Sequence, residues 1–403
     1  MPTTKQSSIL FIFITLLIDV IGFGIIIPVM PKLIASLKGV SIAEASKWGG
    51  YLLTSFAVAQ FFFSPIMGAL SDKYGRRPVL LLSLAGFCID YILLAWAPTY
   101  AWLVVGRLIA GVTGASFTTA AAYIADISTD ENRAKNFGMI GAAFGMGFIL
   151  GPALGGLLGQ FNTKWPFYAS AILCFANLLY GYFVLPESLP KENRRDVDLK
   201  KINPFTTLTK IGGYRQIGWL LLAFFFLAIG SHAVQSNWNF YTQHVFAWKE
   251  STVGWSLALV GALVGLVQGL LIKKAHKLFG EVNSVFIGFS LYALGMFLFA
   301  VAGQSWQMFL FLIPYCLGGI SGPSLQSIMS KKVPANEQGE LQGGITSIQS
   351  ISTIIGPLAM TSLFAFSTAP GTAFAFPASP FLLGGILMLA SAFISYYALK
   401  GKY

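Results

Sequence analysis

The chain has 403 residues, of which 55 % are hydrophobic and only 10 % charged, with 26 Lys and Arg against 15 Asp and Glu. A soluble domain carries about 25 % charged residues, so that class is excluded, and a mean hydropathy of +0.70 places the chain in a bilayer. The net charge of +11 is scattered over short loops instead of one folded face, which argues against a nucleic-acid partner.

Twelve apolar runs follow one another, near residues 8–34, 48–70, 78–97, 101–126, 136–159, 165–185, 215–241, 252–272, 283–303, 306–329, 342–366 and 376–399. Each approaches the roughly 20 residues that cross the hydrocarbon core as a helix, whereas barrel strands would alternate over about 10. The first run is long and holds Asp19, Pro28 and Pro31, so no cleavable signal peptide is expected. Asp19 lies about 11 residues into it, roughly 17 Å deep and near the midplane. Burial raises the pKa of a carboxyl at such a depth, which suits a protonation site or a cation contact.

Between the second and third runs lies GALSDKYGRRP, Gly68 to Pro78. The third run carries Asp90 and the fourth Arg107, about 10 Å and 9 Å from their outer ends. Adjacent antiparallel helices bring these two to one level, either as a structural ion pair or as a pair that tunes proton binding. The fifth run has Gly141, Gly145, Gly151 and Gly155 at spacings that permit close helix approach, and Pro152, which removes a backbone hydrogen bond and can bend the helix. Residues 186–214 form the one long polar stretch, dense in charge and proline, and read as a cytoplasmic linker with a short surface helix. It separates an N-terminal bundle, 1–185, from a C-terminal bundle, 215–403.

The second half has no acid at membrane depth. On the seventh run His232, Gln235 and Asn239 stand at i, i+3 and i+7 on one face, with Trp238 beside them, a candidate cavity lining. Gln268 is a further intramembrane amide. Cys88, Cys174 and Cys316 fall inside apolar runs and imply no disulfide framework.

Landmarks recur at one offset. Gly75 and Gly280 are 205 residues apart (280 − 75), as are Gly138 and Gly343, and Gly151-Pro152 and Gly356-Pro357. One register for three landmarks points to a duplicated six-helix unit, a signature of secondary transporters. With both termini inside, 20 of the 26 basic residues fall on the inner side, as translocated loops poor in Lys and Arg require. No HExxH, GxSxG, P-loop or His/Cys/acid cluster at metal spacing occurs, so a membrane enzyme, an ATP-driven pump, a cofactor and a metal site all lack sequence support.

The loop with Gly68, Ser71, Asp72, Lys73, Gly75, Arg76 and Arg77 closely resembles the cytoplasmic loop 2–3 signature of the major facilitator superfamily. GRLIAGVTGA from Gly106 resembles its helix-4 motif, and GAAFGMGFILGPALGG from Gly141 the helix-5 signature of the drug–proton antiporters. LLIDVIGFGIIIPVMP, RRPVLLLSLAGFCIDYILLA, YIADIS and EQGELQG are similar to stretches of the tetracycline-efflux branch.

The resemblance implies an all-α fold of twelve transmembrane helices in two pseudo-symmetric six-helix bundles, working by alternating access. It implies a monomer in a bacterial inner membrane that exchanges a small drug-like molecule for protons. Asp19, Asp90 and Arg107 then serve proton coupling, and Gly68, Asp72, Gly75, Arg76, Arg77 and Asp126 form a cytoplasmic gate. Within that gate Asp72 is expected to bond Arg76 near a helix N-terminus. Gln268 matches a helix-8 glutamine of that branch.

Two departures stand out. Val264 falls where the branch has a histidine, and Tyr292 where it has the helix-9 aspartate. Magnesium-chelated tetracycline is cationic, so loss of that acid predicts a more neutral or aromatic solute around Gln235, Asn239 and Trp238. Another organic solute (a sugar, metabolite or siderophore) is the alternative cargo.

Overall fold

The computed structural model describes residues 3–114, 116–129, 133–194, 215–334 and 338–400. Residues 195–214 of the expected linker lie outside them. The described residues contain helices and no strand, as the bilayer demands of a chain that must satisfy its backbone internally.

The helices are α1 (Thr3–Ile26), α2 (Ile42–Tyr74), α3 (Arg76–Trp96), α4 (Tyr100–Thr113 with Ser116–Ile127), α5 (Arg133–Phe161) and α6 (Trp165–Val184). After the linker come α7 (Arg215–Val245), α8 (Glu250–Leu266, running on to 279), α9 (281–301), α10 (Ser305–Leu317 with Ser321–Lys332), α11 (Gln338–Thr368) and α12 (Ser379–Lys400). Among the described residues, eleven apolar helical stretches are long enough to cross a membrane. One of them, Glu250–Val301, has 52 residues, enough for two crossings, and it breaks at Gly280, where φ is 77°. The eleven stretches therefore hold twelve crossings.

Irregularities fall where the sequence weakens the helical ladder. Pro28 and Pro31 accompany a single 3₁₀ turn, Ile27–Val29, which joins α1 to a short helix, Met30–Lys38. Pro314 precedes the 3₁₀ turn Gly318–Ile320 inside α10. Pro152 in α5 and Pro357 in α11 sit inside continuous helices, as the 205-residue offset requires.

Two compact units form. The first holds Met1–Gly39, Ser55–Asn203 and Trp248–Gly261; the second holds Val40–Thr54, Pro204–Ala247 and Ala262–Tyr403. The start of α8 thus packs within the first unit, and the start of α2 within the second. Small residues make both possible. A Cβ on Gly254 would lie 3.1 Å from Gly156 Cα, and one on Gly261 2.9 Å from Ile149. In the second unit Ser46 Oγ donates to Thr361 O at 3.2 Å and Thr54 Oγ1 to Ile354 O at 3.0 Å, while Gly49 faces the Phe240 ring. Gly49 and Gly254 are again 205 apart (254 − 49), so the arrangement obeys the internal repeat.

The most intimate contact of the first unit is between α1 and α5. A Cβ on Gly151 would stand 2.9 Å from both Gly24 Cα and Ile21 O, and Gly147 faces Val20. Gly141 and Gly145 differ from expectation: nothing lies within 4 Å of their Cβ positions, so they mediate no close approach. The glycines that do so are Gly147, Gly151 and Gly155, one helical face further on.

Gly151→Ala should therefore lower stability by about 1–3 kcal/mol, because the added methyl meets backbone that cannot yield. Gly145→Ala should stay within about 0.5 kcal/mol of the parent. Thermal unfolding of the two purified variants in one detergent distinguishes them, and equal losses would refute this assignment of the interface.

Candidate functional site

Three groups of side chains carry the chemistry. The first lies at membrane depth in the first unit. Asp90 is fully buried, and Arg107 is 6 % exposed. Arg107 Nε donates to Asp90 Oδ1 at 3.2 Å, and a second guanidinium nitrogen contacts Oδ2, so the pair is bidentate. Gly106 permits this, since a Cβ there would lie 2.7 Å from Asp90 Oδ1. Both charges are consumed by each other, which makes the pair a clamp between α3 and α4.

Asp19 is also buried, 8 % exposed. It stands within electrostatic reach of Tyr91 on α3 and Cys174 on α6. The Tyr91 hydroxyl lies 3.1 Å from the point where Gly22, one turn along α1 from Asp19, would carry a Cβ. Ser170 Oγ donates to Gly22 O at 3.1 Å, and one α1 turn below Asp19 Thr15 Oγ1 meets Asn177 Oδ1 at 3.2 Å. Asp19 and Asp90 are thus joined through consecutive residues, Asp90 and Tyr91, of one helix. Thr15, Ser170 and Asn177 went unnoticed in the sequence because single hydroxyls and amides in apolar runs are common.

The second group gathers the gate residues. Arg76 donates through Nη1 to Asp72 Oδ1 at 2.5 Å and to Ser71 Oγ at 2.7 Å, and through Nε to Asp126 Oδ2 at 3.2 Å. Ser188 Oγ donates to the same Asp126 oxygen at 2.9 Å. Arg77 instead reaches Tyr182 O at 2.6 Å and lies over the Tyr182 ring. Gly75, at φ 107° and ψ 162°, makes the turn between α2 and α3. Gly68 has open space at its Cβ position. The carboxylate at the start of α3 is Glu187, which the sequence reading did not single out. It accepts the N–H of Arg76 at 2.8 Å and of Arg77 at 3.2 Å, and those of Ser188 and Leu189 at 3.0 and 3.1 Å. The signal was an acid directly after the sixth apolar run, aimed at a helix N-terminus. A further unanticipated pair joins Lys32 Nζ to the largely buried Glu250 Oε1 at 2.6 Å.

The third group lies in the second unit. Gln235 is exposed, with Nε2 3.3 Å from Ser231 Oγ. His232, expected on the same lining, is buried with its ring seated in the notch at Gly356. Trp238 is 2 % exposed and packs edge-on to Phe299, 5.1 Å between centroids, in a cluster with Phe381. Its role in this structure is packing rather than lining. Asn239 is buried too. The helical face was read correctly in period but lies partly inside the unit. Gln268 is exposed on a π-helical turn, Val267–Leu271, a geometry frequent at functional sites. Tyr292 packs 5.1 Å from the Tyr315 ring, and a Cβ on Gly319 would be 3.8 Å from both its hydroxyl and Val267, so Tyr292 borders the turn that bears Gln268. The three cysteines are buried and free. Among the described residues no group of His, Cys, Asp and Glu could hold a metal.

Comparisons with known proteins agree with this anatomy. Residues 12–357 match the family described as "Major Facilitator Superfamily". The chain is 38 % identical over 365 residues to "Tetracycline resistance protein, class C" of Escherichia coli, covering 91 % of each chain. It is 37 % identical to the class G protein of Vibrio anguillarum over 384 residues, covering 95 % of this chain and 96 % of the other. Among solved structures it resembles the nucleoside transporter NupG with a TM-score of 0.80 at 14 % identity, covering 97 % of this chain and 99 % of that one.

A clamp role for the buried pair is separable from a protonation role. Asp90→Asn should leave Arg107 uncompensated and cost about 3–5 kcal/mol, whereas Asp90→Asn with Arg107→Gln should recover much of that loss. Thermal unfolding in detergent tests it. An Asp90→Asn protein as stable as the parent would argue against the clamp.

Proposed function

The chain belongs to the Major Facilitator Superfamily, and we propose that it exports a drug-like small molecule across a bacterial inner membrane in exchange for protons, with both termini cytoplasmic. It is an integral membrane secondary transporter. In this reading the bundles 1–185 and 215–403 work by alternating access, and a monomer suffices. The relatives' tetracycline-resistance names support export of a polycyclic drug.

The observation that carries the reading is the division of polar equipment. Among the described residues, charge at membrane depth is confined to the first unit, where Arg107 and Asp90 pair with each other and Asp19, buried on another helix, is the carboxyl assigned in this reading to proton uptake and release. The second unit offers exposed amides instead, Gln235 and Gln268, with Tyr292 beside the turn of Gln268. Exposed amides within an apolar span are tolerated where they line a water-filled cavity. These three residues form the substrate side; Trp238 and His232 support it from behind. The gate residues act on the equilibrium between states, since Arg76 ties Asp72 and Asp126 together and must let go when the turn moves.

Asp19→Asn should abolish flux driven by a pH gradient while leaving the protein folded and able to exchange substrate without a gradient. Flux in proteoliposomes measures both, and proton-driven transport by a well-folded variant would remove Asp19 from the mechanism.

Tyr292 occupies the place of the acid that would attract a cationic chelate, which favours neutral or weakly charged aromatic cargo. Expression in an efflux-deficient bacterium should raise resistance to such compounds more than to tetracycline, and Tyr292→Asp should increase tetracycline resistance. The similarity to tetracycline resistance proteins favours tetracycline itself as the second reading. Strong tetracycline–proton exchange by the unmodified chain would establish that reading over the first.

A further inference from the structure

The register of the internal repeat also aligns the charges of the two inner turns. Gly75 and Gly280 break their helices with nearly the same backbone, φ 107° and ψ 162° against φ 77° and ψ 164°, a region essentially reserved for glycine. The residue after each opens the next helix, Arg76 in α3 and Glu281 in α9. Adding 205 to 126 turns Asp126 into Lys331, and adding it to 72 turns Asp72 into Lys277. All three positions reverse sign. The pairing survives the reversal: Arg76 Nε donates to Asp126 Oδ2 at 3.2 Å, and Lys331 Nζ donates to Glu281 Oε1 at 2.7 Å.

Helix electrostatics make the inverted version self-sufficient. A cation at the first position of α3 opposes the helix dipole, and Glu187 offsets it by filling the space beside Gly75. Glu281 brings its own negative charge to the same position of α9. Correspondingly, nothing lies within 4 Å of where a Cβ on Gly280 would be. Two more side chains border the pair. Ser327 Oγ donates to Glu281 Oε1 at 3.1 Å, His276 Nδ1 lies 4.0 Å from that oxygen, and His276 Nε2 is 2.7 Å from Ser324 Oγ. Ser327 and Lys331 are one turn apart on α10, so α10 grips the Gly280 turn as α4 grips the Gly75 turn. A single charge reversal would have placed like charges together; only the matched reversal keeps an ion pair.

We infer that Glu281 and Lys331, supported by Ser327 and His276, form a second inner-side latch, a charge-inverted copy of the Arg76–Asp126 pair that clips the α8–α9 turn to the inner end of α10. The clip stands on geometry alone; its part in the transport cycle rests on the transport reading above.

The test uses the full-length protein in nanodiscs, with Glu281→Gln, Lys331→Gln and the swap Glu281→Lys with Lys331→Glu. Hydrogen–deuterium exchange over residues 272–286 reports the clip without any substrate. Tetracycline flux into everted vesicles reports turnover. Each single variant should exchange faster in that segment and lose about two- to five-fold in turnover, the size expected of a partly exposed ion pair, with apparent affinity unchanged. The swap should recover part of the protection and turnover lost in the single variants, short of the parent because a lysine at the first position of α9 opposes the helix dipole. Unchanged exchange in the single variants, or a swap no better than either of them, overturns the latch. If the parent carries no tetracycline, exchange alone decides the latch, and the cargo assignment has failed separately.

Discussion

A charge inside a bilayer is tolerated only when an opposite charge, a water-filled cavity or protonation relieves it, and the first unit is organised around that constraint. Arg107 and Asp90 lie against each other, and the glycine at 106 opens the space that lets the two meet. Asp19 is buried in the same unit on another helix, within electrostatic reach of Tyr91 and Cys174. Two buried carboxylates of one unit thus sit in different surroundings.

The helices that carry these groups are held by backbone proximity more than by side-chain chemistry. Lipid tails are as apolar as Leu, so helices associate through close packing and a few hydrogen bonds. Gly151 against Gly24, and Gly254 against Gly156, bring α5 onto α1 and onto the start of α8. α5 therefore touches the segment that bears Asp19 and the segment that bears Glu250. A movement of α5 would be felt at both.

The turns at Gly75 and Gly280 show how a duplicated unit can diverge while keeping an ion pair. Both use a glycine in a rarely occupied backbone region, a charged residue at the first helical position and a partner on the helix after next. Polarity is free to invert because the ion pair depends on the product of the charges. What cannot be inverted is the helix dipole, and that asymmetry explains why the first turn has Glu187 beside it while the second has open space.

Most of the architecture was legible in the chain itself. Twelve apolar runs of bilayer length and an exact 205-residue register have few alternatives once backbone groups must be satisfied internally. The Asp90–Arg107 pair followed from depth arithmetic, and the Arg76 cluster from its motif. Tertiary structure decided what one-dimensional spacing cannot. Helical period places His232, Gln235 and Asn239 on one stripe, but a stripe wide enough to span buried and open surface does not reveal where the boundary falls; packing put Gln235 outside and His232 and Trp238 inside. For the same reason, of the four candidate glycines of α5 only Gly151 and Gly155 make close approaches, joined by Gly147, since spacing marks candidate glycines and only the neighbour's path selects among them. Glu187 and the Glu281–Lys331 pair came from three dimensions as well. Residues 50 to 111 apart become partners only after the helices between them have crossed the membrane and returned.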